Sequence, residues 1–160
     1  MKPRIVYLSW PTEEITGGIK MAFRHVEALC ENGFDAVVAT QDGRAPLWFP
    51  TTASVVTLDG LGGEKDVLVF PENHQGFFQQ FADRTCAKVV FCQSQHMVWR
   101  GLGDRLSYAD YGVSDVICPG HTAALFCRRR FPDLNVEVIT NFVDKEQFHP
   151  AATKTLRIVL

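Results

Sequence analysis

The sequence has no excess of charge of one sign and no long hydrophobic run. Its 160 residues include 16 Lys and Arg against 18 Asp and Glu, a formal net charge of −2. Nucleic-acid-binding domains usually carry a basic field, so this balance argues against nucleic acid as a partner. No apolar segment reaches the roughly 20 residues of a membrane-spanning helix, and the short apolar run at 5–8 does not suit a signal peptide. These absences predict a cytoplasmic globular protein and leave peripheral membrane contact open.

Cysteine is present, but without the paired spacing of a metal site. The cysteines are Cys30, Cys86, Cys92, Cys118 and Cys127. No two are separated by the C-x-x-C spacing that zinc sites commonly show. Most lie inside apolar runs. We therefore expect five buried, reduced cysteines that pack as small hydrophobic residues, and we expect no metal ion.

The sequence also lacks the short motifs of several enzyme classes. No G-x-G-x-x-G fingerprint follows the first apolar run, which disfavours an NAD- or flavin-dependent enzyme. The glycine-rich segment 60–63 lacks the Lys-Ser/Thr pair of a phosphate-binding P-loop. No G-x-S-x-G surrounds a serine, so a hydrolase nucleophile has no support.

Short apolar runs alternate with segments of helical period along most of the chain. Strands are predicted at 5–8, 35–40, 54–58, 66–70, 88–92, 115–118 and 136–139. A helix opens at Gly17-Gly18 and stops before Asn32-Gly33; others are predicted at about 74–84 and at 122–131, the last capped by Thr122. Such alternation predicts an α/β fold, Rossmann-like, with an open, mostly parallel sheet and helices on both faces.

In a sheet of this kind, ligands bind beyond the carboxyl ends of the strands. The segments at that edge would be 9–18, 40–42, 71–74, 93–96, 119–122 and 140–141. Gly17 and Gly18 open the first helix, where glycine permits close approach and free N–H groups attract an anion such as a diphosphate. The alternative, which the sequence supports equally, is a tight turn that only leads into the helix.

Two polar clusters follow neighbouring predicted strands. Glu72, Asn73 and His74 form the first, and Gln93 and His96 belong to the second. Carboxylate, amide and imidazole groups can bind sugar hydroxyls or transfer protons. The structural alternatives are that Glu72 or Asn73 opens the next helix and that His96 is an ordinary structural histidine.

The chain resembles the N-terminal domain of retaining, nucleotide-sugar-dependent glycosyltransferases of the two-domain GT-B fold, group 1 (sucrose-synthase-like). The similar segments are Gly17-Gly18 with the helix after it, the strand pair 66–72 and 88–93, the strand 115–118, and 139–150. The last of these, Ile-Thr-Asn-Phe-Val-Asp-Lys-Glu-Gln-Phe-His-Pro, is similar to the family's "ipNGvD-x-x-x-F-x-P" signature, although Phe142 stands where the family usually has glycine. The resemblance extends over about the whole chain.

This resemblance implies that residues 1–150 form the acceptor-side domain. Residues 151–160 would be a linker and the first strand of a further, C-terminal domain that binds the nucleotide-sugar. The family transfers a sugar to a saccharide or lipid-linked acceptor without a cofactor and commonly without a metal. Synthesis of a surface polysaccharide is the implied setting.

The resemblance also implies roles for individual residues. Gly17 and Gly18 would face the donor diphosphate, and His96 would be catalytic, near the transferred sugar. Substrate-binding residues would be Glu72, Asn73, His74 and Gln93, with Asn141 at the hinge. The alternative is an α/β module without catalytic activity that binds a carbohydrate or a protein.

Overall fold

The computed structural model describes residues 2–141, and these form one parallel sheet with helices on both faces. The strands are β1 (Arg4–Leu8), β2 (Asp35–Thr40), β3 (Val55–Thr57), β4 (Asp66–Pro71), β5 (Ala87–Phe91), β6 (Asp115–Cys118) and β7 (Asn135–Val138). Their order is β3-β2-β1-β4-β5-β6-β7, and every pairing is parallel. The predicted fold class is confirmed.

The helices are α1 (Gly17–Glu31), α2 (Gln75–Phe81), α3 (Val98–Leu102) and α4 (His121–Arg130), and a 3₁₀ turn spans Tyr108–Tyr111. Helix α1 begins where the Thr16 side chain accepts a hydrogen bond from the Ile19 N–H. It ends at Asn32, and Gly33 then takes the positive φ of 79° that turns the chain toward β2. The prediction that Thr122 caps α4 was wrong, because the helix begins one residue earlier, with Gly120 at the cap position and no side-chain cap.

The sheet separates two apolar cores. Successive side chains of a strand point to opposite faces, so β1 directs Tyr7 to one core and Val6 to the other. Helix α1 covers the first core with Phe23 and Val26. Helices α2, α3 and α4 and the 3₁₀ turn cover the second, where the largest buried side chains are Phe70, Phe78, Phe81, Tyr108 and Phe131.

The strand order changes direction between β1 and β4. From β1 the chain builds outward through β2 to β3, and from β4 it builds the other way through β5 and β6 to β7. The crossover connections therefore diverge at β1 and β4 and leave a crevice at their carboxyl ends. The fold itself places the candidate ligand site between the loops that follow these two strands.

Some expectations need correction or lie outside the described residues. Four cysteines are buried, but Cys30 is exposed, so the expectation that all five are buried was wrong. The hinge signature at 142–150 and the linker and strand at 151–160 fall beyond the part of the chain that the structure describes. None of the helices between residues 2 and 141 is long and apolar enough to cross a bilayer.

Candidate functional site

A cleft of about 940 Å³ opens at the point where the strand order reverses. Its walls come from the loops after β1, β4 and β5 and from the first turns of α1. The predicted residues Gly18, Glu72, Asn73, His74 and Gln93 all line it. Residues from three separate segments of the sequence are thus brought to one site, as expected for the carboxyl ends of adjacent parallel strands.

An aromatic stack forms one wall of the cleft. The Trp10 indole lies against the His74 imidazole with ring centres 4.1 Å apart, and His74 stacks on Phe77 at 3.7 Å. Trp10 Nε1 donates a hydrogen bond to Asn73 Oδ1 at 2.9 Å. The loop after β1 and the loop after β4 are therefore joined through side chains that also face the cleft.

His74 is the N-terminal cap of helix α2. Its Nδ1 accepts a hydrogen bond from the Phe77 N–H at 3.4 Å, which leaves the proton of the neutral ring on Nε2. Burial lowers the pKa of His74, with a smaller opposing effect from a backbone hydrogen bond, so the neutral form is favoured. The alternative that one residue of this cluster opens the next helix therefore applies to His74, instead of Glu72 or Asn73.

Glu72 is a buried carboxyl group on the wall of the cleft. Its Oε1 accepts a hydrogen bond from the Ser94 N–H at 3.0 Å, which ties the end of β4 to the end of β5. Burial raises the pKa of Glu72, and backbone hydrogen bonds, including those from Gln93 and Ser94, oppose the rise. A carboxyl group held in this way can exchange a proton nearer to neutral pH than an exposed one.

Gly18 and Gln93 join the start of α1 to the end of β5. Gln93 Nε2 donates to the Gly18 carbonyl oxygen at 3.1 Å. A Cβ atom on Gly18 would lie 3.2 Å from that same nitrogen, so a larger residue would displace the amide. Gly17 has no neighbouring atom within 4 Å of the place where its Cβ would be, and the chain is open there.

Three of the predicted site residues do not line the cleft, Gly17 among them. His96 is exposed in a second groove, of about 600 Å³, beside Trp99, Leu125 and Arg129. Its Nε2 lies 3.4 Å from the Gln95 amide nitrogen. Asn141 is not among the residues that line the cleft.

A buried polar group behind the cleft was missed at the sequence level. His25 Nδ1 lies 3.1 Å from the Tyr7 hydroxyl, and its ring packs on Phe91 with centres 4.6 Å apart. Burial lowers the pKa of His25, and the neighbouring Asn141 side chain opposes part of this shift. The buried Oδ1 atom of Asn141 accepts no hydrogen bond from the described residues. Helical spacing could have found His25, since it lies three residues after Ala22 on the apolar face of α1.

Taken together, the cleft offers amide groups, an aromatic face and one buried carboxyl group. Asn73 and Gln93 supply neutral donors and acceptors, Trp10 supplies the ring face, and Glu72 supplies the titratable group. Such a set suits a ligand rich in hydroxyl groups. One further acidic side chain, Glu14, and one basic side chain, Arg100, also line the cleft. Protein-family models, curated proteins and solved structures include none that matches this chain.

Proposed function

We propose that this chain is the acceptor-side domain of a retaining glycosyltransferase, which moves a sugar from a nucleotide-diphosphate donor to a saccharide or lipid-linked acceptor. The observation that carries the proposal is the cleft at the reversal of strand order, where Trp10, Asn73 and Gln93 meet the buried Glu72. The family resemblance of the sequence supports the same function independently of this geometry.

The chemistry of the cleft suits an acceptor sugar. A sugar presents polar hydroxyl groups at its edge and C–H groups on its face. Amide side chains pair with hydroxyl groups as both donors and acceptors, and an indole face packs against the C–H groups. The volume of about 940 Å³ falls within the usual range for small-ligand sites, so it can hold a short saccharide.

The start of α1 suits the donor diphosphate. Gly18 lines the cleft, and the amino end of a 15-residue helix carries a partial positive charge. No acidic residue lies in the first turn of α1 to repel an anion. The donor would therefore lie between this turn and the nucleotide-binding domain that the resemblance implies.

Glu72 is the group in the cleft best suited to proton transfer. Its carboxyl group is buried, hydrogen-bonded to Ser94 and raised in pKa, so it can orient an acceptor hydroxyl and take up its proton. The catalytic role predicted for His96 stays a prediction. Its imidazole would have to act from the neighbouring groove.

Binding can be tested with tryptophan fluorescence, because Trp10 is in the cleft and Trp99 is in the other groove. The double variant Trp48→Phe/Trp99→Phe keeps only Trp10 as the emitter. We expect a saturable change in its fluorescence with some members of a panel of mono- and disaccharides. The matched control Trp10→Phe/Trp48→Phe keeps only Trp99 and should not respond. Equal responses in both variants, or none with any saccharide, would contradict the assignment of the cleft.

Transfer is tested on the polypeptide that the complete gene encodes. With UDP- or GDP-sugars and the saccharide that binds best, we expect release of nucleoside diphosphate and a product with the donor's anomeric configuration. Glu72→Gln should lower kcat more than it raises KM. Saccharide binding without transfer from any donor would instead favour the non-catalytic carbohydrate-binding module.

A further inference from the structure

Three cysteines from separate elements of the fold meet in the apolar core that α2, α3 and α4 cover. Cys92 directly follows β5, Cys118 ends β6, and Cys127 lies in α4. Each is fully buried, and their three Sγ atoms all lie within 4.8 Å of one another. The Sγ atoms of Cys118 and Cys127 are 3.9 Å apart. We call these residues the three-cysteine cluster.

From this convergence we infer that the three-cysteine cluster binds a thiophilic divalent cation of the Zn²⁺ class through the thiolates of Cys92, Cys118 and Cys127. The site is distinct from the acceptor pocket, and its existence does not rest on the glycosyltransferase assignment. It departs from the expectation drawn from the cysteine spacing, because each ligand comes from a different structural element.

The distances fit such an ion. A Zn–S bond of about 2.3 Å at tetrahedral angles places two sulfur atoms about 3.8 Å apart. Cys118 and Cys127 already have that separation, at 3.9 Å. The Cys92 Sγ atom lies within 4.8 Å of the other two Sγ atoms. A shift of that sulfur by about 1 Å or less, which is smaller than a rotamer change, therefore brings it to the distance that zinc requires.

Charge favours a divalent ion over a monovalent one. Three thiolates around Cu⁺ leave one more negative charge in the core than the same thiolates around Zn²⁺. Uncompensated buried charge is costly. Arg128 interacts electrostatically with Cys118 and offsets part of the charge that remains around Zn²⁺.

Zinc sites are usually four-coordinate, and a site with three protein ligands holds a water molecule in the fourth position. The three thiolates therefore suffice as the protein's share of the ligands.

Cobalt(II) is the probe, because thiolate ligands give it intense charge-transfer absorption and a tetrahedral site gives it strong visible bands. The complete chain is reduced, stripped of metal and titrated with Co²⁺ without oxygen. We expect one Co²⁺ per chain with both spectral features, followed by their loss when Zn²⁺ displaces the probe. Zn²⁺ should also raise the melting temperature of the wild-type protein.

The variants separate metal binding from packing. Cys118→Ala and Cys127→Ala should lose the charge-transfer band and the Zn²⁺-dependent rise in melting temperature. Cys86→Ala, also a buried cysteine but outside the three-cysteine cluster, should keep both. Circular dichroism confirms that each variant is folded. A folded wild-type protein without the charge-transfer band, or a band that persists in Cys118→Ala, would overturn the site.

Discussion

Trp10 and Asn73, which are 63 residues apart in the sequence, share a hydrogen bond of 2.9 Å from the indole Nε1 to the amide Oδ1. This contact joins the loops that follow β1 and β4. It also holds the indole against His74, with ring centres 4.1 Å apart. The aromatic wall of the cleft is therefore a tertiary feature, oriented by a residue on the opposite loop.

Loss of this hydrogen bond should weaken saccharide binding. Asn73→Ala removes the acceptor and leaves the Trp10 ring free to turn away from the cleft. A hydrogen bond contributes about 1 kcal/mol, so we expect roughly a fivefold rise in Kd. The measurement is a titration that follows Trp10 fluorescence in the Trp48→Phe/Trp99→Phe background.

Asn73→Asp is the matched control for this prediction, because it keeps an oxygen acceptor at the same position. Its affinity should stay closer to that of wild type than to that of Asn73→Ala. Unaltered binding by Asn73→Ala would show that the indole is held by other contacts.

Glu72→Gln should stabilise the fold at neutral pH while it removes the proposed activity. Burial raises the pKa of Glu72 above its ordinary value of 4.5, so the folded state holds this proton more tightly than the unfolded state. The wild type should therefore lose stability as pH rises from about 4.5 through the raised pKa. The Gln variant has no such proton to lose.

Urea unfolding between pH 4.5 and 7 measures this effect. The difference in unfolding free energy between Glu72→Gln and wild type should grow toward pH 7. Glu64→Gln, at an exposed position, should show no comparable trend. A constant difference across the range would mean that Glu72 does not titrate there.

His25 should make the fold less stable as the pH falls, which is the reverse of the pH dependence expected for Glu72. Burial lowers its pKa from 6.5, so the unfolded state takes up the proton first as the pH falls. The stability that depends on neutral His25 is fully present above pH 6.5 and is lost as the pH falls toward the lowered pKa. His74 shifts in the same direction and adds to the effect.

The variant His25→Gln should reduce this acid sensitivity, since its amide can still pair with the Tyr7 hydroxyl but carries no titrating proton. Chemical denaturation at a series of pH values below 6.5 provides the test. His121→Gln, at an exposed position, is the control and should keep the wild-type slope. An identical slope for His25→Gln would contradict the role of His25.

Gly101 should tolerate no side chain. A Cβ atom there would overlap the Glu72 carbonyl oxygen, so the backbone of one of the two segments would have to shift. We expect Gly101→Ala to destabilise the fold by about 3 kcal/mol or more, the scale of a severe packing strain in a core. Thermal or urea unfolding measures the loss.

The control is Gly63→Ala, where no atom lies within 4 Å of the added Cβ. Its effect should stay within about 0.5 kcal/mol, as at an ordinary surface position. Similar stabilities for the two variants would show that the α3 segment can shift away from Glu72.

The strands and the longest helix were predictable because their signals are local. The runs at 35–40 and 115–118 match β2 and β6 in full, since unbroken apolar segments suit a parallel sheet covered on both faces. Helix α1 showed its buried face through the spacing of Ile19, Ala22, Phe23 and Val26. The start of α4 was misplaced because Thr122 is a good capping residue, but the backbone had already become helical at His121.

The grouping of polar residues in the cleft was also predictable from the sequence. Parallel strands end at the same edge, so polar residues after neighbouring strands had to be near one another. That reasoning placed Glu72, Asn73 and Gln93 correctly in one cleft. It could not show that Trp10 would form the wall, because its partners Asn73 and His74 lie on another loop.

The sequence by itself determined which segments form strands and helices and which polar groups follow each strand, since both depend on side chains within a few residues of each other. Only the tertiary structure decided which of those groups meet. The strand order places β1 beside β4, which brings Gly18 and Glu72 to one cleft and leaves His96 in another groove. It also brings Cys92, Cys118 and Cys127 together, although their spacing is that of ordinary core residues. Contacts between distant segments depend on the order of the strands in the sheet, and the local spacing of residues does not determine that order.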